Sequence, residues 1–249
     1  TEAAVVGIVV LMTITPHGIK TETADAVIIG AGMVGLTLGV TLASAGLTVY
    51  LIDRTDLATL VAPSSDGRTS AIAHGSQLVL NGAGVWRVLA HVACPILDIR
   101  VSDGDAPLFL HYKHLTVGTD PMGWIVENSE LRQALAARAG GLECLHVCAP
   151  AQVESVVRDD HVVTICLTGG RVVSAPVLLA CDGRQSQERR RAGIPTTAWN
   201  YSQTGIVCTV LHEQPHRNVA HERFLPAGPF AILPMVQDDE GRHRSSIVW

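Results

Sequence analysis

Three glycines near the N-terminus have the spacing of a phosphate-binding turn: Gly30, Gly32 and Gly35. In a Gly-x-Gly-x-x-Gly motif the first glycine permits a tight turn and the second lets backbone N–H groups approach a pyrophosphate. The third lets a helix pack closely on a strand, and that helix directs its N-terminus at the phosphates. Asp53 stands where a carboxylate could accept hydrogen bonds from a ribose. The spacing therefore predicts a dinucleotide site and leaves open whether the nucleotide is FAD or NAD.

The elements around these glycines are the ones that the motif requires. Residues 26–30 form an apolar run that predicts a buried strand, and residues 36–45 predict a helix that stops at Gly46. Residues 47–52 predict a second strand that ends at Asp53. A glycine-rich turn without a ligand is the alternative, and the complete strand–turn–helix–strand unit argues against it. Arg54, next to Asp53, is included in the predicted cofactor site.

The other reactive residues do not support metal or nucleophile chemistry. The segment from His212 to His216 matches H-E-x-x-H literally, but Pro215 would break the required helix, and residues 206–211 predict a strand. The six cysteines include no C-x-x-C pair, so no metal site or disulfide framework is predicted and a reducing cytoplasm is expected. No G-x-S-x-G motif is present. We therefore predict no metal, and the catalytic residues stay unassigned.

The rest of the chain predicts a mixture of helices and strands. Helices are predicted over residues 70–80, 85–91 and 128–139, with Asn128 or Ser129 as the cap of the last one. The three arginines at 189–191 are expected in the last turn of another helix, where cations complement the helix dipole, and an anion site is the alternative. Strands are predicted by β-branched and apolar runs at residues 96–101, 108–112, 153–157, 161–167, 172–180, 205–211, 230–233 and 245–249.

Composition excludes two broad classes of protein. Hydrophobic residues make up 47% of the 249 residues and charged ones 16%, which excludes a disordered chain. The formal net charge of −5 argues against a nucleic-acid binder, which needs a basic face. Residues 1–24 are expected to be a leader, and residues 1–11, upstream of Met12, are not expected to be native, with a short membrane-surface anchor as the alternative. The last predicted strand runs to Trp249 without a cap, so a chain truncated at its C-terminus is expected.

Four further segments carry a resemblance to a known family. They are residues 66–73, which begin Asp-Gly-Arg, residues 124–128, residues 181–194, which begin Cys-Asp-Gly, and residues 221–234. Together they resemble the FAD-dependent aromatic hydroxylases that have the fold of para-hydroxybenzoate hydroxylase. Within that family the chain is similar to the UbiH-like hydroxylases of ubiquinone biosynthesis, in particular the 2-polyprenyl-6-methoxyphenol hydroxylase branch. The resemblance extends over residues 25–249 and favours FAD as the cofactor.

The resemblance also implies roles for individual residues. Asp182 is expected near the FAD pyrophosphate or ribose, Arg68 near the flavin, and Arg132 near the phosphates, while Val153 would offer backbone groups to the adenine. A solvated helix position is the alternative for Arg132, and a simple turn is the alternative for Asp182. Asn128 stands where many relatives have a cofactor-facing arginine. The cofactor-binding residues predicted in total are Gly30, Gly32, Gly35, Asp53, Arg54, Arg68, Arg132, Val153 and Asp182.

The resemblance implies an α/β fold in which a Rossmann-like FAD-binding domain is interleaved with a β-sheet substrate domain. Residues 25–94 and 124–196 are assigned to the FAD-binding domain, and residues 95–123 and 197–249 to the substrate domain. Both are expected to be incomplete, because the family's second FAD motif would follow Trp249.

The implied reaction is hydroxylation of the aromatic ring of a polyprenylated phenol by O₂, with NAD(P)H as the reductant and the chemistry residing in the flavin. Other ubiquinone-biosynthesis proteins are candidate partners. The expected location is the cytoplasm, and the prenyl tail allows peripheral contact with the inner membrane. Two alternatives stay open: a related flavin hydroxylase for another ring position or substrate, and a non-catalytic scaffold that keeps the fold.

Overall fold

The computed structural model describes residues 21–62 and 67–249. Its strands, in chain order, are β1 Thr21–Thr23, β2 Ala26–Ile29, β3 Val49–Ile52, β4 Thr69–Ala73, β5 Cys94–Ile96, β6 Asp98–Asp103, β7 Phe109–Lys113, β8 Gly123–Glu127, β9 Leu145–Cys148, β10 Val153–Arg158, β11 Val163–Leu167, β12 Val172–Ala175, β13 Leu178–Ala180, β14 Val207–His212, β15 Val219–Leu225, β16 Gly228–Met235 and β17 His243–Val248. Its helices are α1 Met33–Ser44, α2 Leu57–Val61, α3 His74–Gly82, α4 Trp86–Leu89, α5 Asn128–Gly140 and α6 Gln187–Arg191, with a short 3-10 turn at His114–Thr116.

A parallel sheet of four strands, in the order β13-β2-β3-β9, forms the middle layer of one half of the molecule. Its central strands β2 and β3 are apolar runs rather than alternating patterns, as expected for strands covered on both faces. Helices α1 and α5 cover one face, where Leu36, Val40 and Leu135 pack on Ile28 and Leu51. The other face packs against a second sheet through Val27 and Ile52.

That second sheet has the order β1-β12-β11-β10. Its inward side chains Ile165, Leu167 and Val173 are buried against the parallel sheet. The result is a three-layer arrangement of helix, parallel sheet and second sheet. It brings the carboxyl ends of β2, β3 and β13 to one edge of the molecule, where ligands bind in open α/β sheets.

A six-stranded sheet, in the order β14-β17-β16-β15-β6-β7, forms the other half of the molecule. Its strands come from two separated parts of the chain, residues 98–113 and 207–248. A three-stranded sheet, β4-β8-β5, joins the two halves, and Ile125 of β8 packs against Ile99, Ala220 and Met235 of the large sheet. The predicted α/β class with an interleaved β-sheet unit is confirmed.

Local predictions failed where tertiary pairing overrode local preference. The helix predicted over residues 70–80 begins only at His74, because residues 69–73 form β4 and pair with β8. The strand predicted over residues 172–180 is two strands in different sheets, β12 and β13. Pro176 stands between them and has no N–H to donate to a strand ladder.

Two predictions about chain ends and caps also need correction. The residue that caps α5 is Glu127 rather than Asn128 or Ser129, and its side chain makes no capping hydrogen bond. Asn128 begins the helix, is buried, and accepts a hydrogen bond from the Ser70 hydroxyl at 2.6 Å. Residues 21–23 of the predicted leader form β1, which pairs in parallel with β12. The prediction for residues 1–11 lies outside the described residues.

None of the helices in the described ranges is long and apolar enough to cross a membrane.

Candidate cofactor cleft

A cleft of about 530 Å³ opens at the carboxyl ends of β2, β3 and β13. Six of the nine residues predicted to bind the cofactor line it: Gly30, Gly32, Asp53, Arg54, Val153 and Asp182. They come from three separate parts of the chain, which the parallel sheet and the second sheet bring together. Residues that sequence reasoning did not identify also line the cleft, among them Thr55, Gln152, Gln187 and Glu188.

Gly30 and Gly35 allow the turn between β2 and α1 to pack closely against the backbone around it. Gly30 has φ +104°, and a Cβ there would lie 2.3 Å from the carbonyl oxygen of Cys181. A Cβ on Gly35 would lie 1.7 Å from the carbonyl oxygen of Gly30. A side chain at Gly35 would force α1 away from β2, and a side chain at Gly30 would displace the backbone that follows β13.

Gly32 differs from the other two glycines because a Cβ there would meet no atom of the described residues within 4 Å, apart from its chain neighbours. It is the N-cap of α1, and no side chain caps the helix at this point. The first N–H groups of a helix have no partner within the helix and favour an anion. The open space beside Gly32 is therefore where a phosphate could approach the backbone.

Asp53 is held in place by two backbone N–H groups. Ala31 N–H donates to Oδ2 and Thr55 N–H donates to Oδ1, each at 2.7 Å. These bonds tie the end of β3 to the glycine turn after β2. Each carboxylate oxygen keeps further acceptor capacity, so Asp53 can still accept hydroxyl groups from a ligand.

Asp182 closes the opposite wall of the cleft. Its Oδ2 accepts N–H bonds from Gln187 at 2.7 Å and Glu188 at 3.2 Å, which fixes the first turn of α6. Burial raises the pKa of Asp182, but hydrogen bonds from the Ser186 hydroxyl and these N–H groups outweigh it, so the pKa lies below its ordinary value. Its Oδ1 is buried and has no hydrogen-bond partner in the part of the chain that the structure describes. The wall thus presents an acceptor oxygen that a ligand hydroxyl could satisfy.

Glu188 supports this wall and gave no recognisable pattern in the sequence. Its side chain is buried, and it forms ion pairs with Arg191 and with Arg158 Nη2, the latter at 3.5 Å. The arginines at 189–191 do form the last turn of α6, as predicted. Arg190 lines the cleft, where its charge can meet an anion.

Three predicted cofactor residues do not line the cleft. Gly35 is buried behind the glycine turn, and Arg132 is half-buried on α5. Arg68 is exposed just before β4, and its carbonyl accepts the N–H of Asn128 at 3.0 Å. The next residue, Thr69, donates to Ser246 of β17 at 3.1 Å. Arg68 therefore lies where the three-stranded sheet meets the six-stranded sheet.

The histidines of the H-E-x-x-H segment are not arranged as on a helix. His212 is the last residue of β14, as the predicted strand requires, and His216 lies in the following loop. Both ring nitrogens of His212 are within hydrogen-bond distance of other groups, the Ser245 hydroxyl at 2.9 Å and the Gln214 carbonyl at 2.6 Å. These contacts hold the end of the sheet together.

Comparison with known sequences identifies the family. The family described as FAD binding domain matches residues 23–247, which is nearly the whole described chain. This chain belongs to that family. The glycine turn, Asp53 and Asp182 all fall within the match.

Curated relatives of this FAD-binding domain include two ubiquinone hydroxylases. UbiL of Rhodospirillum rubrum is 47% identical over 93% of this chain and 53% of the relative. UbiM of Neisseria meningitidis is 31% identical over 85% of this chain and 47% of the relative. The chain therefore spans about half the length of the curated relatives that it matches.

Among solved structures, PqsL of Pseudomonas aeruginosa has the same fold, with a TM-score of 0.73 over 91% of this chain and 60% of that one. Its sequence is only 19% identical, so the likeness concerns the fold alone.

The cleft fits the FAD that the family binds. It offers an open helix N-terminus at Gly32 for phosphates, two carboxylates for hydroxyl groups, and the Val153 backbone at the cleft wall. The buried Oδ1 of Asp182 would gain a partner when a hydroxyl binds, which removes the cost of leaving it unsatisfied.

Proposed function

We propose that the full-length protein is an FAD-dependent monooxygenase that hydroxylates the aromatic ring of a polyprenylated phenol in ubiquinone biosynthesis. The observation that carries this proposal is the 47% identity to a ubiquinone hydroxylase over 93% of the chain. Bound FAD would activate O₂ for transfer of one oxygen atom to the ring, with NAD(P)H as the source of electrons.

In this proposal the residues of the chain bind and orient the cofactor. Gly32 and the N-terminus of α1 hold the pyrophosphate, and Gly35 keeps the helix close enough to do so. Asp53 accepts the ribose hydroxyls, with Arg54 beside it, and Asp182 accepts a hydroxyl from the opposite wall. Val153 presents backbone groups to the adenine.

Arg68 would contact the flavin part of FAD, and Arg132 would contact its phosphates. The support for Arg68 is its position between the three-stranded and six-stranded sheets, since a flavin that extends from the glycine turn towards the six-stranded sheet would reach it. Arg132 lies in the second turn of α5, a helix that packs beside α1.

The division into domains follows from the same proposal. Residues 25–94 and 124–196 form the FAD-binding domain, and residues 95–123 and 197–249 form the substrate domain. The strands of the six-stranded sheet all fall in the second set, which supports the division. The prenyl tail of the substrate would require peripheral contact with the inner membrane from the cytoplasmic side, and other ubiquinone-biosynthesis proteins are the proposed partners.

The full-length protein, loaded with FAD, should convert a prenylated phenol to the hydroxylated product when O₂ and NAD(P)H are supplied. Mass spectrometry of the product, with ¹⁸O₂ as the oxygen source, should show one labelled oxygen, in the new hydroxyl group on the ring. Nuclear magnetic resonance of the same product gives the ring position. A flavin-loaded protein that consumes no prenylated phenol would favour a non-catalytic scaffold instead.

A further inference from the structure

A second cavity lies on the six-stranded sheet, far in the fold from the glycine turn. It has a volume of about 720 Å³, within the range of small-molecule sites. Its apolar wall includes Phe109, Phe230, Ile232 and Trp249. None of the residues predicted to bind FAD lines it.

Alternation along the strands places this cavity on the outer face of the sheet. Ile99, Ala220 and Leu233 lie side by side on β6, β15 and β16, and they pack towards the FAD-binding half. The next residue on β6, Arg100, pairs with His221 of β15, and His221 pairs with Ile232 of β16. Because successive side chains on a strand point to opposite faces, this second row faces away from the FAD-binding half.

Arg100 is the charged residue at the floor of the cavity. No carboxylate of residues 21–62 or 67–249 forms an ion pair with it, and its Nε is buried without a hydrogen-bond partner there. Its guanidinium carbon lies 5.6 Å from the centroid of the Phe109 ring, which holds the side chain in place. A buried guanidinium N–H without an acceptor is costly, so an anion that binds there would be stabilised.

The other charged groups of the cavity leave this guanidinium available. Arg223 is already paired with Asp105 at 2.7 Å at the rim. Glu222 follows His221 on β15, so strand alternation directs its side chain to the opposite face. Burial and the charge of Arg100 lower the pKa of His221, which keeps its imidazole neutral near pH 7.

We propose that this outer-face cavity is a binding site for a small amphipathic carboxylate, separate from the FAD and substrate sites. The carboxylate would accept hydrogen bonds from Arg100, with the Ser102 hydroxyl on the same face as a further donor, because a planar guanidinium matches a planar carboxylate. The apolar part of the ligand would lie along Phe230, Ile232 and Trp249. The occupant is a free small molecule, since the cavity volume matches such a ligand and Arg100 is the one guanidinium of the described lining that has no carboxylate partner, which matches a single anionic group.

The test uses the full-length, FAD-loaded protein and two probes of the same shape, decanoate and the uncharged decanamide. Calorimetry should show saturable binding of decanoate and at least about tenfold weaker binding of decanamide. Arg100→Gln should weaken decanoate binding by about tenfold to a hundredfold, while flavin content stays at the wild-type level. Arg87→Gln, on the exposed surface of α4, is the matched control and should change nothing.

A second variant, Arg100→Lys, distinguishes the loss of a binding contact from misfolding of the Arg100→Gln protein. Arg100→Lys keeps the charge but loses the planar pair of donors, so its affinity should lie between those of the wild type and Arg100→Gln. Absence of saturable decanoate binding to the full-length wild type would overturn the proposal, and so would equal binding by wild type and Arg100→Gln. Both results can be obtained whether or not the protein hydroxylates a phenol.

Discussion

At the scale of single residues, two carboxylates of the cleft, those of Asp53 and Asp182, are positioned by backbone N–H groups rather than by cations. Asp53 bridges Ala31 and Thr55, and Asp182 holds the start of α6. Such bonds fix the orientation of a carboxylate without neutralising it, so both side chains remain acceptors for a polar ligand. Each therefore supports the fold locally and faces the cleft. Substitution of Asp53 should mainly lower the affinity for FAD, and substitution of Asp182 should lower the stability of the apoprotein.

Asp53→Asn should lower the affinity of the full-length apoprotein for FAD by about tenfold or more. The amide would direct its NH₂ group at one of the two backbone N–H groups that now donate to Asp53. The side chain would also lose one acceptor oxygen for the ribose. Titration of apoprotein with FAD, followed by flavin fluorescence, measures the change. Asp56→Asn, at the N-cap of α2, is the control and should bind FAD like the wild type. Unchanged affinity in Asp53→Asn would exclude the ribose role.

Asp182→Asn should destabilise the apoprotein by about 1 kcal/mol at pH 7, because the charge-assisted bonds to Gln187 and Glu188 are weakened. The folded-state pKa of Asp182 lies below its ordinary value of 3.8. The carboxylate therefore stabilises the fold above that ordinary value, and the stabilisation is lost as the pH falls through the folded-state pKa. Urea unfolding at several pH values should show the difference between wild type and variant shrinking below about pH 4. A difference that grows on acidification would contradict this account of the wall.

At the scale of elements, the unit β2–α1–β3 determines the site. The packing of α1 against the sheet leaves no space for a side chain at Gly35, whereas Gly32, three residues earlier, borders open space. Gly35 must be glycine because the fold leaves no space for a side chain. Gly32, one helical turn earlier, must be glycine only because a ligand would occupy the space beside it. The same argument explains why the spacing of the glycines, and not only their number, predicted the site.

Gly35→Ala should disrupt the element itself. The added Cβ would lie 1.7 Å from the carbonyl oxygen of Gly30, so α1 must move away from β2. We expect a loss of about 2 kcal/mol or more in the free energy of unfolding, together with loss of FAD. Thermal and urea unfolding of full-length apoprotein measure the first effect. Gly75→Ala on α3, where a Cβ has open space, is the control and should be neutral or stabilising. Equal stability of Gly35→Ala and wild type would show that the close packing is not required.

At the scale of the whole molecule, the sequence predicted the parts of the fold that depend on local order. The glycine turn, its flanking strands and α5 follow from periodicity and stop signals, and they are placed as predicted. The predictions failed where distant strands decide the structure. Residues 69–73 are a strand because β8 lies beside them, and residues 172–180 divide between two sheets at Pro176.

The residues of the candidate site also divide into those that local sequence predicts and those that only the fold brings together. Gly30, Gly32 and Asp53 could be predicted because they belong to one contiguous unit. Asp182 and Val153 depended on the family resemblance, since only the fold brings them to the cleft. Glu188 could not be predicted, because no local pattern marks it, and Arg190 was predicted only as a cation at a helix end, with an anion site as the alternative.

The most direct test of the central claim is the flavin content of full-length Gly32→Val. The backbone of Gly32, with φ −67° and ψ −179°, suits any residue, and a Cβ there would meet no atom of residues 21–62 or 67–249 within 4 Å apart from its chain neighbours. The variant should therefore fold with an apoprotein melting temperature close to that of the wild type. Its branched side chain would occupy the space of the pyrophosphate, so it should purify without flavin absorbance while the wild type carries one FAD per chain. A Gly32→Val protein that retains FAD at the wild-type stoichiometry would contradict the assignment of this cleft as the cofactor site.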